Sequence, residues 1–129
     1  MANISILITS APSSSQHVHS ALRFAQTVQA SEHKLLGIFF YHDGVLNANE
    51  LQTTASDEFN LYQAWVDLAQ QHHCPLLVCV TAASKRGVLS QLDAQENDKV
   101  NFNLAPPFQS VGLGDLAQLM CDSDRLLQF

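Results

Sequence analysis

A chain of 129 residues, 47% hydrophobic and only 14% charged, has the size of one compact domain with a well-filled core and a surface poor in charge. The net charge is −6, and the six Lys and Arg (Arg23, Lys34, Lys85, Arg86, Lys99 and Arg125) are scattered. No basic patch of the kind that nucleic acid or an anionic membrane attracts is visible, so neither RNA nor DNA nor a membrane is an expected direct partner. Low surface charge leads instead to the expectation that partner subunits cover part of the molecule.

Residues 1–8 lack a basic start followed by a long apolar run, and no stretch is long enough to span a bilayer. The three cysteines, Cys74, Cys79 and Cys121, have spacings unlike a disulfide framework, which points to a reducing compartment. The expected location is the cytoplasm.

Taken in order, residues 4–9 (ISILIT) read as a buried parallel strand. A turn at 10–15 follows, with Ser14 or Ser15 able to cap a helix over 16–30. Val18, Ala21, Leu22, Ala25 and Val28 make its apolar face. Residues 35–41 (LLGIFFY) are a second buried strand, completing a βαβ unit. His42–Asp43–Gly44 reads as a turn, and 45–55 as a polar loop holding one helical turn at most. Ser56 or Asp57 is the expected cap of a helix to about Gln71, with Leu61, Ala64, Trp65 and Leu68 inward. Pro75 forbids its continuation.

Residues 76–80 read as the third strand, 82–86 as a short helix that Gly87 stops, and 88–103 as a polar excursion with one further turn. Pro106–Pro107 breaks regular structure. Residues 108–111 are a fourth strand, 115–121 a helix with Cys121 near its end in the core, and 124–129 (DRLLQF) the last strand. The expected architecture is a single three-layer α/β sandwich around a mostly parallel sheet of about five strands.

Within this frame Cys79 has the location that bears a mechanism. A group at the C-terminal end of a parallel strand, just before a helix start, stands where α/β folds place their chemistry. Backbone N–H groups at a helix start favour negative charge, and the thiolate is the reactive form of cysteine. Free cysteine is also among the most buried residue types, so an inert core thiol explains the same residue. His42 and Asp43 at the same sheet edge could supply a base to Cys79, although a turn explains them more simply. His72, His73 and Cys74 are adjacent and cannot share one ion from a regular helix, and His17 and His19 point apart, so no metal site is expected. Gly112-Leu113-Gly114 lacks the third glycine and the position of a dinucleotide fingerprint. Cys74 and Cys79 do not form a C-x-x-C pair.

The tracts FFYHDGVLNANEL (39–51), ASDEFNLYQAW (55–65), CVTAASKRGV (79–88) and GLGDLAQ (112–118), with the ending DRLLQF, resemble the DsrE/DsrF-like sulfur-relay family through nearly the whole chain. The resemblance implies one DsrE-like domain over residues 1–129 and a sulfurtransferase that accepts sulfane sulfur as a persulfide. The family's active cysteine maps onto Cys79. No cofactor is implied. The implied partners are TusB-like and TusC-like subunits in a dimer of heterotrimers, a TusA-like sulfur donor and a TusE-like acceptor. The sulfur ends in 2-thiolation of the tRNA wobble uridine without direct contact between this chain and the tRNA. Alone, the chain is expected to associate with itself through the same surfaces. Two other roles fit the resemblance: a sulfur carrier in dissimilatory sulfur oxidation, and a non-catalytic organising subunit of a sulfur-relay complex. Transfer requires the Cys79 sulfur to be reachable at the rim of the sheet, with Arg86 a further cation nearby.

Overall fold

The β-branched opening run forms strand β1 (Asn3–Ile8), described with the rest of residues 1–129 by a computed structural model. Strand alternation sends Ile4, Ile6 and Ile8 to one face and Ser5 and Leu7 to the other. Helix α1 (His17–Gln29) packs on β1 with Val18, Ala21, Leu22, Ala25 and Val28 buried, the face that the spacing predicts. Its entry differs from expectation: Gln16 is the N-cap, and Ser15 supports the first turn from one residue further out, accepting from the His17 N–H at 3.2 Å.

Strand β2 (Lys34–Phe40) runs parallel to β1, with a register shift between Ile4 and Ser5. A 3₁₀ helix (His42–Ala48) follows, more regular than the expected loop. Helix α2 (Leu61–His72) starts later than the expected Ser56 or Asp57 cap, because the Asn60 side chain caps it, accepting from the Gln63 N–H at 3.0 Å. Asn serves an N-cap as well as Ser or Asp does, and capping there begins the helix at Leu61, its first buried residue. His73, at φ 53°, ends it. Strand β3 (Leu76–Cys79) passes directly into α3 (Val80–Lys85), and α4 (Gln91–Glu96) is the further turn of the excursion, capped by Ser90. Strand β4 (Phe108–Val111), helix α5 (Leu113–Asp122) and strand β5 (Arg125–Gln128) complete the chain.

The strands form one sheet in the order β4-β3-β2-β1-β5, with every neighbour pair parallel. The chain steps from β1 to β4 in one direction and then returns past β1 to β5. Right-handed crossovers therefore put α1 and α2 on one face and α5 on the other. Trp65 of α2 meets Phe40 edge-on at 5.6 Å, whereas a side chain at Gly37, on the opposite face of β2, would meet Leu119 of α5 at 3.3 Å. The result is a three-layer α/β sandwich. Its layers are unequal: α1 and α2 bury ten residues between them, while α5 buries none and touches the core through Leu116 and Leu119.

Candidate functional site

The C-terminal edge of the sheet carries the candidate site. Cys79 is both the last residue of β3 and the N-cap of α3, with extended backbone angles (φ −63°, ψ 116°), so no connecting residue separates strand from helix. Alternation along β3 sends Leu76 and Val78 into the α2 side and puts Leu77 and Cys79 on the α5 side, with Val111 of β4 opposite Cys79 in register. The sulfur makes no capping hydrogen bond to the helix start.

The sequence predicts a sulfur reachable at the rim, and the structure corrects this for the single chain. Cys79 is only 2% exposed. The direct strand-to-helix passage leaves no loop to lift the side chain outward, and the 3₁₀ helix packs against both β3 and α3. A cleft of about 610 Å³ between α4, Phe102 and β4 does not include Cys79 in its lining.

Helix α3 ends in a two-bond turn: the Val88 N–H donates to the Ala83 carbonyl at 2.9 Å and the Gly87 N–H to the Ser84 carbonyl at 3.3 Å. Gly87 adopts φ 75°, which confirms it as the stop. Arg86, the C-cap, turns back: its Nε donates to Asp43 Oδ1 at 2.9 Å and its Nη1 to the Ala82 carbonyl at 3.0 Å. It is therefore bound to the 3₁₀ helix and to α3 rather than held free beside the sulfur. His42, at φ 51°, stacks its exposed ring on Tyr41 at 4.2 Å, and no hydrogen bond joins it to Cys79. With Asp43 taken by Arg86, a Cys79–His42–Asp43 constellation does not form.

The other cysteines differ in kind. Cys74 is buried ahead of β3, its thiol donates to the Pro75 carbonyl at 3.7 Å, and burial pushes its pKa up to about 12. A thiol so penalised as an anion makes a poor nucleophile at neutral pH. Cys121 is exposed, not in the core as its helical position predicts, because α5 turns only Leu116 and Leu119 inward. Both lie away from the C-terminal edge: Cys74 enters β3, and α5 ends where Asp124 bonds to Asn3 at the start of β1.

Two polar groups of the site escape the sequence reading. Asn103, 8% exposed, accepts from the Leu89 N–H at 2.8 Å and donates to the Gly87 carbonyl at 3.0 Å and to Asn49 Oδ1 at 3.1 Å. Asn47, 1% exposed, donates to the carbonyls of Ser10 and Gly44. The run NAN (47–49) was the available signal for Asn47 and Asn49; their partners Ser10 and Asn103 lie in other parts of the chain.

The model of the DsrE/DsrF-like family matches residues 2–129. The chain is 44% identical to Sulfurtransferase TusD of Serratia proteamaculans and 43% identical to that of Pectobacterium atrosepticum, over 129 residues and 100% of each protein. It is 45% identical over 115 residues to a Sulfurtransferase TusD homolog of Vibrio vulnificus, covering 89% of this chain and 88% of that one. Among solved structures, the ychN protein from E. coli superposes with a TM-score of 0.78 at 22% identity over 100% of both chains, a likeness of fold.

Proposed function

We propose that this chain, a sulfurtransferase that belongs to the DsrE/DsrF-like family, carries sulfane sulfur as a persulfide on Cys79 and passes it to an acceptor cysteine. The observation that carries the proposal is the position of Cys79 at the C-terminal end of a central parallel strand, where it caps the following helix. Cys74 and Cys121 share neither feature.

The chemistry is sulfur-to-sulfur exchange without net oxidation. The Cys79 thiolate attacks the terminal sulfur of a donor persulfide; an S–S bond forms to Cys79 as the donor's S–S bond breaks, and the donor leaves as a thiolate that takes a proton from solvent. An acceptor thiolate then attacks the same terminal sulfur, and Cys79 leaves in turn. In this scheme the donor is TusA-like, the acceptor TusE-like, and TusB-like and TusC-like subunits complete a cytoplasmic complex. The delivered sulfur serves 2-thiolation of the tRNA wobble uridine, with the downstream carrier rather than this acidic chain meeting the RNA. Exposed apolar side chains, among them Leu113 and Met120 on the thinly covered α5 layer, are consistent with subunit contacts. No helix is long and apolar enough to cross a membrane.

The burial of Cys79 favours one competing reading, a subunit that organises the complex without carrying sulfur. Transfer of labelled sulfur from donor to acceptor distinguishes the two. Cys79→Ser abolishes transfer under the carrier reading while Cys74→Ser and Cys121→Ser retain it; undiminished transfer by Cys79→Ser establishes the organising role instead.

A further inference from the structure

Cys79 is buried at the joint of β3 and α3, so its sulfur needs an opening before it can react. The 3₁₀ helix lies against both β3 and α3, the two elements that meet at Cys79. It is tied to the far end of α3 at two points. At its start, Asp43 Oδ1 accepts from Arg86 Nε at 2.9 Å, an ion pair whose side chains are 29% (Arg86) and 65% (Asp43) exposed. Just beyond its end, Asn49 Oδ1 accepts from Asn103 Nδ2 at 3.1 Å, and the Glu50 N–H donates to the Asn103 carbonyl at 2.8 Å. The same Asn103 holds the Gly87 carbonyl and the Leu89 N–H, so one buried amide grips the turn that ends α3 and the segment that follows the 3₁₀ helix.

We propose that Asn103 is a positioning residue which, with the Arg86–Asp43 pair, forms a two-point tie that keeps the 3₁₀ helix closed over Cys79, and that release of the tie makes the sulfur reachable. This rests on the reading of Cys79 as the sulfur carrier, since only a transferring sulfur needs to be opened. The two points differ in character. The ion pair is exposed and screened by salt, so it is the readily broken one. The Asn103 amide is buried with its three side-chain bonds satisfied, so its loss leaves backbone groups unpaired and costs more. A partner that presented its own carboxylate to Arg86, or its own cation to Asp43, would open the first point without breaking the fold.

The test is alkylation by iodoacetamide of the full chain carrying Cys121→Ser, with Cys79 and Cys74 quantified separately by peptide mass spectrometry. Cys74 is an internal control, because it is buried beside Pro75 at the other end of β3 and reports loosening of the whole molecule. Asn103→Ala raises the rate at Cys79 by about tenfold, the equivalent of its one side-chain bond that crosses to the 3₁₀ segment, at Asn49, with the Cys74 rate unchanged. Asp43→Asn raises it by roughly threefold, and high salt brings the parent to the same rate. Asn49→Asp retains the acceptor oxygen and keeps the parent rate. An unchanged Cys79 rate in Asn103→Ala and Asp43→Asn, or an equal rise at Cys74, overturns the proposal. Should Asn103→Ala not fold, the surface variant Asp43→Asn decides the matter alone. Sulfur loading of the same samples from a persulfide donor is scored separately: faster alkylation without loading removes the carrier role and leaves the tie, and loading without faster alkylation does the reverse.

Discussion

Gly44 fixes the 3₁₀ helix to the sheet, and adding one carbon there should pry the two apart. A Cβ at Gly44 would lie 2.0 Å from the Ile8 carbonyl oxygen and 2.7 Å from its carbon, against ordinary contact from 3.4 Å. The obstacle is backbone, not a side chain that can swing away, and the Ile8 oxygen is held by the Tyr41 N–H at 2.9 Å. Gly44→Ala must therefore displace the 3₁₀ helix by more than an ångström or break that sheet-edge bond. Overpacking of this kind costs about 1–3 kcal/mol, and a lost hydrogen bond about 1 kcal/mol more. At about 4 °C per kcal/mol for a chain of this size, the melting temperature should fall by roughly 10–15 °C in scanning calorimetry. Gly114→Ala is the matched control, since nothing lies within 4 Å of its added carbon, and helix propensity gives it a gain of up to about 1 kcal/mol. A Gly44→Ala protein melting within about 2 °C of the parent would refute the close approach, because no relaxation that cheap relieves a 2.0 Å separation from a backbone oxygen.

Two further outcomes follow from local chemistry. Because burial pushes Cys74 up to about 12, the folded chain holds its thiol proton where the unfolded chain, near 9, has lost it. The stability linked to this group is whole below pH 9 and is lost as pH rises toward 12, at about 1.4 kcal/mol per pH unit; denaturant titrations across that window should show the slope, and Cys74→Ala should flatten it. Asn60→Ala removes the side-chain cap of α2 and should cost about 1 kcal/mol in urea unfolding, with no effect on sulfur transfer; Ser56→Ala, at the position that sequence alone favours as cap, should cost nothing measurable.

The elements were legible because their signals are local. The β-branched run of β1, the 3.6-residue spacing of α1, and Pro75 and Gly87 as punctuation all act within a few residues, and each fell where pattern placed it. The position of Cys79 at a strand-to-helix joint was legible for the same reason. What pattern could not give was anything set by distant parts of the chain. Asn103 and Asn49 are 54 residues apart, and Arg86 and Asp43 are 43 apart, so neither tie has a sequence signature. The choice of Asn60 over Ser56 or Asp57 was equally open, since all three residue types cap well. Cys121 was misplaced because a helix on the thin side of the sandwich needs only two inward residues to dock. The burial of Cys79 depends on the absence of any residue between β3 and α3, a boundary too fine for periodicity to fix.

The proposed carrier role puts the sulfur cargo on one atom, the Cys79 Sγ. Incubation of the protein with a persulfide donor, alkylation to trap persulfides, and peptide mass spectrometry measure it directly. One additional sulfur on the peptide containing Cys79, absent from Cys79→Ser and unaffected by Cys121→Ser, is the expected result. Additional sulfur confined to the Cys74 or Cys121 peptide, or persisting at the parent level in Cys79→Ser, would contradict it.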